Sequence, residues 1–180
     1  MNRMLRWAFR APVCLYRAGL GRVLGHRFML LAHIGRRTGL RRYTVLEVLE
    51  YRPEGPEVVV MNGFGPNANW FRNLPTTPDP QVVTGSNRFI TAYRILEQSE
   101  AVSVLAGYEA RRRLVAPLIR VVLSRLAGWR YGASDADRAR LVTELPLVAF
   151  RPRREQRGAL PPARQCVRSA EQPIGPTPAE

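Results

Sequence analysis

The stretch LAHIGRRTGLRRYT, residues 31–44, decides the fold of this chain. Its first four residues are of a β type, its last two begin another β-type run, and Gly35 and Gly39 bracket the polar residues between. Glycine is common where a chain reverses direction, because it adopts backbone conformations that side chains disfavour. The stretch therefore predicts two strands joined by a basic turn.

Further β-type runs lie outward from this turn, and turn-forming residues separate them. A short helix is predicted at Asn69–Leu74, and Pro75 ends it. Closely spaced strands with one inserted helix are typical of a small barrel rather than an open parallel sheet. The predicted strands are Phe28–Ile34, Tyr43–Tyr51, Glu57–Met61, Gln81–Thr84, Phe89–Leu96 and Leu145–Arg151.

Two longer helices are predicted toward the C-terminal end. Residues 99–128 have helical spacing, with Ser99 as the N-cap and a kink at Pro117. Ser134 is predicted to cap the next helix, because acidic residues follow in the first turn, where negative charge suits the helix dipole. Helices flanking a barrel make the predicted fold class α+β.

A single domain with two appended segments is expected from 180 residues, since two cores would each be marginal. Residues 1–26 have the pattern of a basic amphipathic helix, residues 27–152 form the predicted barrel, and residues 153–180 have the composition of a disordered tail. The first segment is typical of a helix lying in a membrane surface. A helix packed on the barrel with a solvated arginine face is an equal alternative.

The charge of the chain is strongly positive and unevenly distributed. All 28 basic residues are arginine, the formal net charge is +14, and ten arginines precede the first acidic residue, Glu47. Such a basic N-terminal third favours a polyanion, which is an anionic membrane, a nucleic acid or a phosphorylated cofactor. No nucleic-acid-binding motif is recognisable, so no specific nucleic acid is expected.

The two cysteines, Cys14 and Cys166, have no spacing that predicts a disulfide framework or a zinc site. No apolar run approaches the about 20 residues of a membrane-spanning helix. The expected location is the cytoplasm, with peripheral attachment to the inner face of the cell membrane as an alternative. No metal site is expected.

The basic turn is a candidate anion site, because arginine forks, threonine hydroxyls and turn N–H groups all bind phosphate. A hairpin turn with solvated arginines explains the same residues equally well. The spacing matches neither the Walker motif nor GxGxxG before a helix. The candidate binding residues are Arg36, Arg37, Thr38, Gly39, Arg41, Arg42 and Thr44.

A second candidate segment, NGFG at residues 62–65, directly follows a predicted strand. Glycines there let the backbone approach a flat ring closely. The alternative is an ordinary strand-to-helix loop in which the following Trp70 and Phe71 belong to the core. The candidate ring-binding residues are Asn62, Gly63, Phe64, Gly65 and Trp70.

Together the two segments resemble the deazaflavin-dependent nitroreductase family of split β-barrel flavin and deazaflavin oxidoreductases. The family pattern is a GRxTG or GRRSG turn, basic residues with a threonine, a small glycine-rich loop and W-Y/F-x-N-L. This chain has GRRTG at 35–39, RRYT at 41–44, NGFG at 62–65 and WFRNL at 70–74. The similarity runs from about Leu15 to Pro152.

The resemblance implies a split β-barrel of the FMN-binding type and the deazaflavin coenzyme F-420, with FMN as the alternative. The phosphate and polyglutamate tail of F-420 would lie against the basic turn and the ring near residues 62–65. The implied reaction is hydride transfer from reduced F-420 to a hydrophobic quinone, nitro compound or enone, which needs no protein nucleophile.

Tyr131 is a candidate proton donor for this reaction, and a core or surface tyrosine is the alternative. His33 is interpreted as a structural residue near the turn. The competing function is a non-catalytic module of the same fold that binds the cofactor or a membrane surface. The sequence leaves open whether the barrel forms a homodimer or is covered by its flanking helices.

Overall fold

The structure is a computed structural model, and it describes residues 26–153. Only His26 of the predicted N-terminal segment 1–26 and only Arg153 of the predicted tail 153–180 fall within it, so both predictions lie outside the described residues. Within residues 26–153, no helix has both the length and the apolar character needed to cross a membrane.

Six strands form a closed antiparallel barrel in the order β1-β2-β3-β6-β5-β4. The predicted α+β fold, a small barrel with flanking helices on its C-terminal side, is therefore confirmed. Three of the strands, β1, β3 and β4, also have the predicted bounds. The strands are β1 (Phe28–Ile34), β2 (Arg41–Arg52), β3 (Glu57–Met61), β4 (Gln81–Thr84), β5 (Asn87–Ile95) and β6 (Leu147–Pro152).

The strands alternate their side chains between two separate cores. Val58 and Val60 of β3 point into the barrel with Met29, Leu31 and Phe150. Val59 points the other way, into a second core beneath the helices. Because successive strand residues face opposite sides, a strand with both faces covered is apolar throughout. The barrel interior is filled, so a ligand site must lie elsewhere.

Within residues 26–153, four α-helices accompany the barrel: α1 (Asn69–Asn73), α2 (Gln98–Arg111), α3 (Ala116–Ala127) and α4 (Asp135–Glu144). Ser134 caps α4 as predicted: its side chain accepts from the N–H of Asp137, whose carboxylate accepts from the N–H of Ser134 in return. This capping box satisfies N–H groups that the first helical turn leaves unpaired.

The prediction for residues 99–128 is wrong in two details. Ser99 is not the N-cap, because α2 begins one residue earlier and Glu97 occupies that position. The kinked helix is two helices, which separate at Arg112 before a 3-10 turn, Arg113–Val115. Pro117 lies in the first turn of α3, where its missing N–H is tolerated, so it starts a helix instead of bending one.

Candidate functional site

A cleft of about 470 Å³ lies between β2, the loop after β3 and the helices α2 and α3. Its walls are mainly apolar, with Leu105, Ile119 and Leu126 among the helical side chains. Small-molecule sites usually have this size and character, with a few polar groups that orient the ligand. Thr44 and Tyr108 supply such groups here.

Four of the predicted binding residues line the cleft: Thr44, Gly63, Phe64 and Trp70. Phe64 is half exposed, whereas Trp70 is buried and packs with Phe150. Trp70 therefore belongs to the barrel core and also contributes to the cleft wall, and its role in binding a ring stays a prediction.

Asn62 and Gly65, the two residues of the loop 62–65 that do not line the cleft, hold this loop in place. The Asn62 side chain donates to the carbonyl oxygen of Gly65 at 2.6 Å, and its backbone N–H donates to the carbonyl of Pro146 at 3.0 Å. Gly65 has a φ of +60°, which favours glycine. Gly63 lies close to Leu126, since an added Cβ would be 3.2 Å from its methyl group. Asn62 and Gly65 thus position Gly63 and Phe64.

The basic turn uses its own backbone N–H groups internally. Those of Thr38 and Gly39 donate to the carbonyl of Gly35 at 3.0 and 2.8 Å, and that of Leu40 faces the Thr38 hydroxyl at 3.4 Å. The N–H of Arg36 donates to the Asn73 side chain at 3.2 Å. An anion at this turn would therefore be bound mainly by side chains and not by a ring of backbone N–H groups.

Four side chains, Arg36, Arg37, Arg42 and Arg72, form what we call the arginine cluster. Within residues 26–153, the side chains of Arg37, Arg42 and Arg72 make no hydrogen bond or ion pair, while Arg36 donates to Asn73 at 2.9 Å. Burial lowers the pKa of Arg36, and the positive charges of Arg72 and Arg37 lower it further. Cations with no described acidic partner create a field that favours an anion.

The arginine cluster adjoins the cleft through β2. On this strand, Arg42 precedes the cleft residue Thr44 by two positions, so both side chains point to the same face roughly 7 Å apart. Arg41 is half-buried at the start of β2.

A buried hydrogen-bonded chain connects the arginine cluster to the cleft. His33 is only 3% exposed; its Nδ1 lies 3.1 Å from Nδ2 of Asn73, and its Nε2 lies 3.2 Å from the hydroxyl of Thr44. Asn73 in turn accepts from Arg36. Burial lowers the pKa of His33 to about 4; the nearby Arg42 adds to this effect and the backbone at Ile34 opposes it.

The two tyrosines after β5 differ in their relation to the cleft. Tyr108 lines it and donates to a carboxylate oxygen of Glu47 at 2.9 Å. Tyr131 is not among the cleft residues; it is buried and donates to Glu109 at 2.8 Å. Burial, followed by the adjacent carboxylate, raises the pKa of both phenols. The role of Tyr131 as proton donor stays a prediction.

Sequence reasoning missed Tyr108, Arg72 and Glu47 as site residues. Arg112 approaches Glu47, at 4.0 Å. A signal for Tyr108 existed, because residues 101, 104, 105 and 108 share the buried face of α2 at helical spacing. Which barrel residues that face would meet is not a local property of the sequence.

The described fold and cleft define a six-stranded antiparallel β-barrel protein with an apolar cleft beside an arginine cluster. No known protein-family model and no curated protein sequence matches the chain. Solved structures of similar fold include an F-420-H2-dependent reductase (FDR-A), at 16% identity and a TM-score of 0.39 over 71% of this chain and 96% of that one.

Two further similar structures come from named bacteria. One is a pyridoxamine 5′-phosphate oxidase-related, FMN-binding protein from Nostoc punctiforme, at 9% identity and a TM-score of 0.40 over 79% of this chain and 80% of that one. The other is a protein related to a general stress protein, of the pyridoxinephosphate oxidase family, from Clostridium acetobutylicum. It has 9% identity and a TM-score of 0.43 over 77% of this chain and 84% of that one.

Proposed function

We propose that this chain is an oxidoreductase that binds a flavin-type cofactor, most favourably the deazaflavin F-420, and transfers hydride from its reduced form to a hydrophobic acceptor. The observation that carries the proposal is that Arg42 of the arginine cluster lies two residues before Thr44 on β2, and Thr44 lines an apolar cleft of about 470 Å³. A ligand with a flat apolar ring and an anionic tail would satisfy both parts at once.

The residues present fit such a ligand. Thr44, Gly63, Phe64 and Trp70 would contact the ring in the cleft. The phosphate-bearing tail would lie against Arg37 and Arg42, with Arg36, Thr38 and Arg41 nearby, while Gly39 and the other turn residues maintain the backbone. When bound, the reduced cofactor supplies the hydride, so the protein contributes binding, orientation and exclusion of water.

F-420 is favoured over FMN because of charge. Three arginines of the cluster have no described partner, and FMN carries a single phosphate. A polyglutamate tail adds carboxylates that arginine forks bind well. FMN remains the alternative cofactor, and competition between the two ligands distinguishes them.

The acceptor would enter from the side of the cleft lined by α3 and the turn before it. The apolar side chains of Val115, Leu118 and Val122 are partly exposed there. Such a wall suits a quinone, a nitro compound or an enone. Reduction also requires a proton, which solvent or a tyrosine would supply. Tyr108 lines the cleft, so we assign this role to Tyr108 in preference to Tyr131.

The test is titration of the purified protein with oxidised F-420 at low salt, followed by fluorescence, with FMN as competitor. Replacing Arg37 and Arg42 together by alanine removes two charged contacts, and each is worth about 1.5–3 kcal/mol. We expect the affinity for F-420 to fall at least about 100-fold.

The matched control replaces Arg130 and Arg151 by alanine, since both are exposed and lie outside the cluster and the cleft. This control removes the same net charge as the Arg37 and Arg42 variant. Because the charge is removed outside the proposed site, the affinity for F-420 should change little. Equal losses in the two double variants would mean that only the overall charge matters. No saturable binding by the wild-type protein would contradict the proposed function.

A second candidate function, a module that docks on an anionic membrane without turnover, is favoured by the exposed apolar side chains of the 3-10 turn Arg113–Val115 and of α3. Leu114 is fully exposed, Leu118 is 63% exposed, and Val121 and Val122 are nearly half exposed. Residues 113–127 contain three arginines and no acidic residue. An apolar face flanked by arginines has the chemistry of a surface that enters an anionic lipid interface.

This candidate predicts sedimentation of the full chain with vesicles that contain phosphatidylserine, but not with neutral vesicles. Changing Leu114 and Val121 to glutamate should weaken the binding about tenfold or more, because both lie on the apolar face and outside the cleft. Ile95→Glu is the control, since Ile95 is similarly exposed on β5. Unchanged binding by the α3 variant would reject this face as the contact.

A further inference from the structure

The hydrogen bonds of Asn73 favour one arrangement of hydrogens along the hydrogen-bonded chain that ends at Thr44. Oδ1 of Asn73 accepts from the backbone N–H and from Nη1 of Arg36, so Nδ2 is the amide atom that faces His33. An amide NH₂ group can only donate. Nδ1 of His33 must therefore be the acceptor.

A neutral imidazole carries one hydrogen, which then resides on Nε2. That N–H donates to the Thr44 hydroxyl at 3.2 Å. The neutral form is the one populated near pH 7, because burial depresses the pKa of His33. The Thr44 oxygen thus accepts from inside the protein, and its own hydrogen is directed to another partner.

Thr44 lies in the cleft wall, and no acceptor for its hydroxyl hydrogen is present within residues 26–153. We propose that Thr44 donates a hydrogen bond to a conjugated carbonyl oxygen of the molecule that occupies the cleft, and that Asn73 and His33 are positioning residues that leave the Thr44 hydroxyl hydrogen available for this bond. The inference rests on the proposed function, because it names the group that this site recognises.

Two sources of that carbonyl are compatible with the cleft: the ring of the cofactor and a quinone acceptor. Both present an oxygen that accepts but cannot donate. Arg36, at the far end of the chain, places a positive charge where it polarises the bonds toward the cleft.

The first measurement examines the hydrogen bonds between Asn73, His33 and Thr44 in the protein without ligand. Nitrogen-15 NMR of His33 should show the neutral tautomer with its hydrogen on Nε2 at pH 7. The Nδ1–H tautomer would overturn the proposal, because the Thr44 hydroxyl would then donate to His33. This readout does not depend on any ligand, so it is independent of whether the chain binds F-420.

The second measurement compares two probes on the protein without cofactor: menadione, a naphthoquinone, and 2-methylnaphthalene, which has a similar ring and no carbonyl. Binding is followed by the fluorescence of Trp70 in the cleft wall. Thr44→Val should weaken menadione binding about tenfold and leave the hydrocarbon unaffected. Thr44→Ser should retain the wild-type preference, since it keeps the hydroxyl.

The same Thr44 variants are also titrated with oxidised F-420 and with FMN. A loss confined to these ligands assigns the carbonyl to the cofactor ring, and a loss confined to menadione assigns it to the acceptor. His33→Leu should reproduce the Thr44→Val effect, and His33→Gln, which keeps a donor toward Thr44, should restore binding. Equal affinities in wild type and Thr44→Val for all carbonyl ligands would overturn the inference, whereas the arginine variants test the proposed function separately.

Discussion

His33 shows how far a single residue can be interpreted from its neighbours in sequence. Its strand position indicated a structural role, and its burial on β1 agrees with that. Its two ring nitrogens nevertheless contact Asn73 and Thr44, which are 40 and 11 residues away along the chain. The residue is therefore structural and also connects the arginine cluster to the cleft.

The depressed pKa of His33 predicts a stability change in mildly acidic solution. The unfolded chain binds a proton at this site below about pH 6.5, and the folded chain does so only below about pH 4. The free energy of unfolding should therefore fall as the pH drops through this window, by up to about 3 kcal/mol. Urea denaturation between pH 7 and pH 4 measures it.

The His33→Gln variant is the comparison, because it lacks the titrating group while other groups still titrate. The difference in unfolding free energy between wild type and variant should shrink toward low pH. A constant difference across the window would show that His33 titrates alike in the folded and unfolded chains.

At the scale of elements, an ion-pair network ties the start of α2 to the barrel. Glu100 of α2 accepts from Arg52 of β2 at 2.9 Å and from Arg94 of β5 at 2.6 Å. Glu57 of β3 contacts the same two arginines. Three strands and a helix are thus joined by alternating charges, which holds α2 where Tyr108 reaches the cleft.

The ion-pair network predicts a second pH dependence of the free energy of unfolding. Hydrogen bonds from Arg94, then from Arg52, lower the pKa of Glu100 to about 2, so its stabilisation is present above about pH 4.5 and is lost as the pH falls through 2. Glu100→Gln should reduce the unfolding free energy at pH 7 by about 1 kcal/mol, since the partly exposed pair is screened by solvent. Thermal and urea unfolding measure the loss.

Glu54→Gln is a suitable control for Glu100→Gln. Glu54 lies in the exposed turn between β2 and β3 and has no described partner. It should change the unfolding free energy by less than about 0.5 kcal/mol. If both variants behave alike, the network contributes no more than an isolated surface charge.

At the scale of the whole molecule, the filled barrel interior places the cleft between the barrel and its helices. Fully buried side chains such as Met29, Leu31 and Phe150 occupy the interior. The cleft instead combines residues of β2 with residues of α2 and α3. The site thus depends on how the helices pack against the barrel.

The net charge of +14 predicts that cofactor binding depends on salt. Raising the salt concentration from about 0.05 to about 0.5 M shortens the screening length several-fold. The affinity for F-420 should therefore fall more steeply than that for FMN, because F-420 carries more negative charge. Parallel titrations in chloride salt measure both slopes, and identical slopes would argue that the tail makes no contact with the arginine cluster.

Local features of the sequence were sufficient to predict the strands and several turns. β1, β3 and β4 have the predicted bounds, and Ser134 caps its helix as its acidic neighbours indicated. These features depend on side-chain alternation and on hydrogen bonds over three or four residues. The first turn and the strand spacing were therefore enough to indicate a small barrel.

Only the tertiary structure decided which side chains meet at the cleft. Tyr108 and Glu47 are 61 residues apart, and their contact depends on how α2 lies across β2. The same holds for Asn73 and His33, whose hydrogen bond exists because α1 packs against β1. Periodicity specifies which face of an element is buried, but the partner of that face is set by the packing of the whole chain.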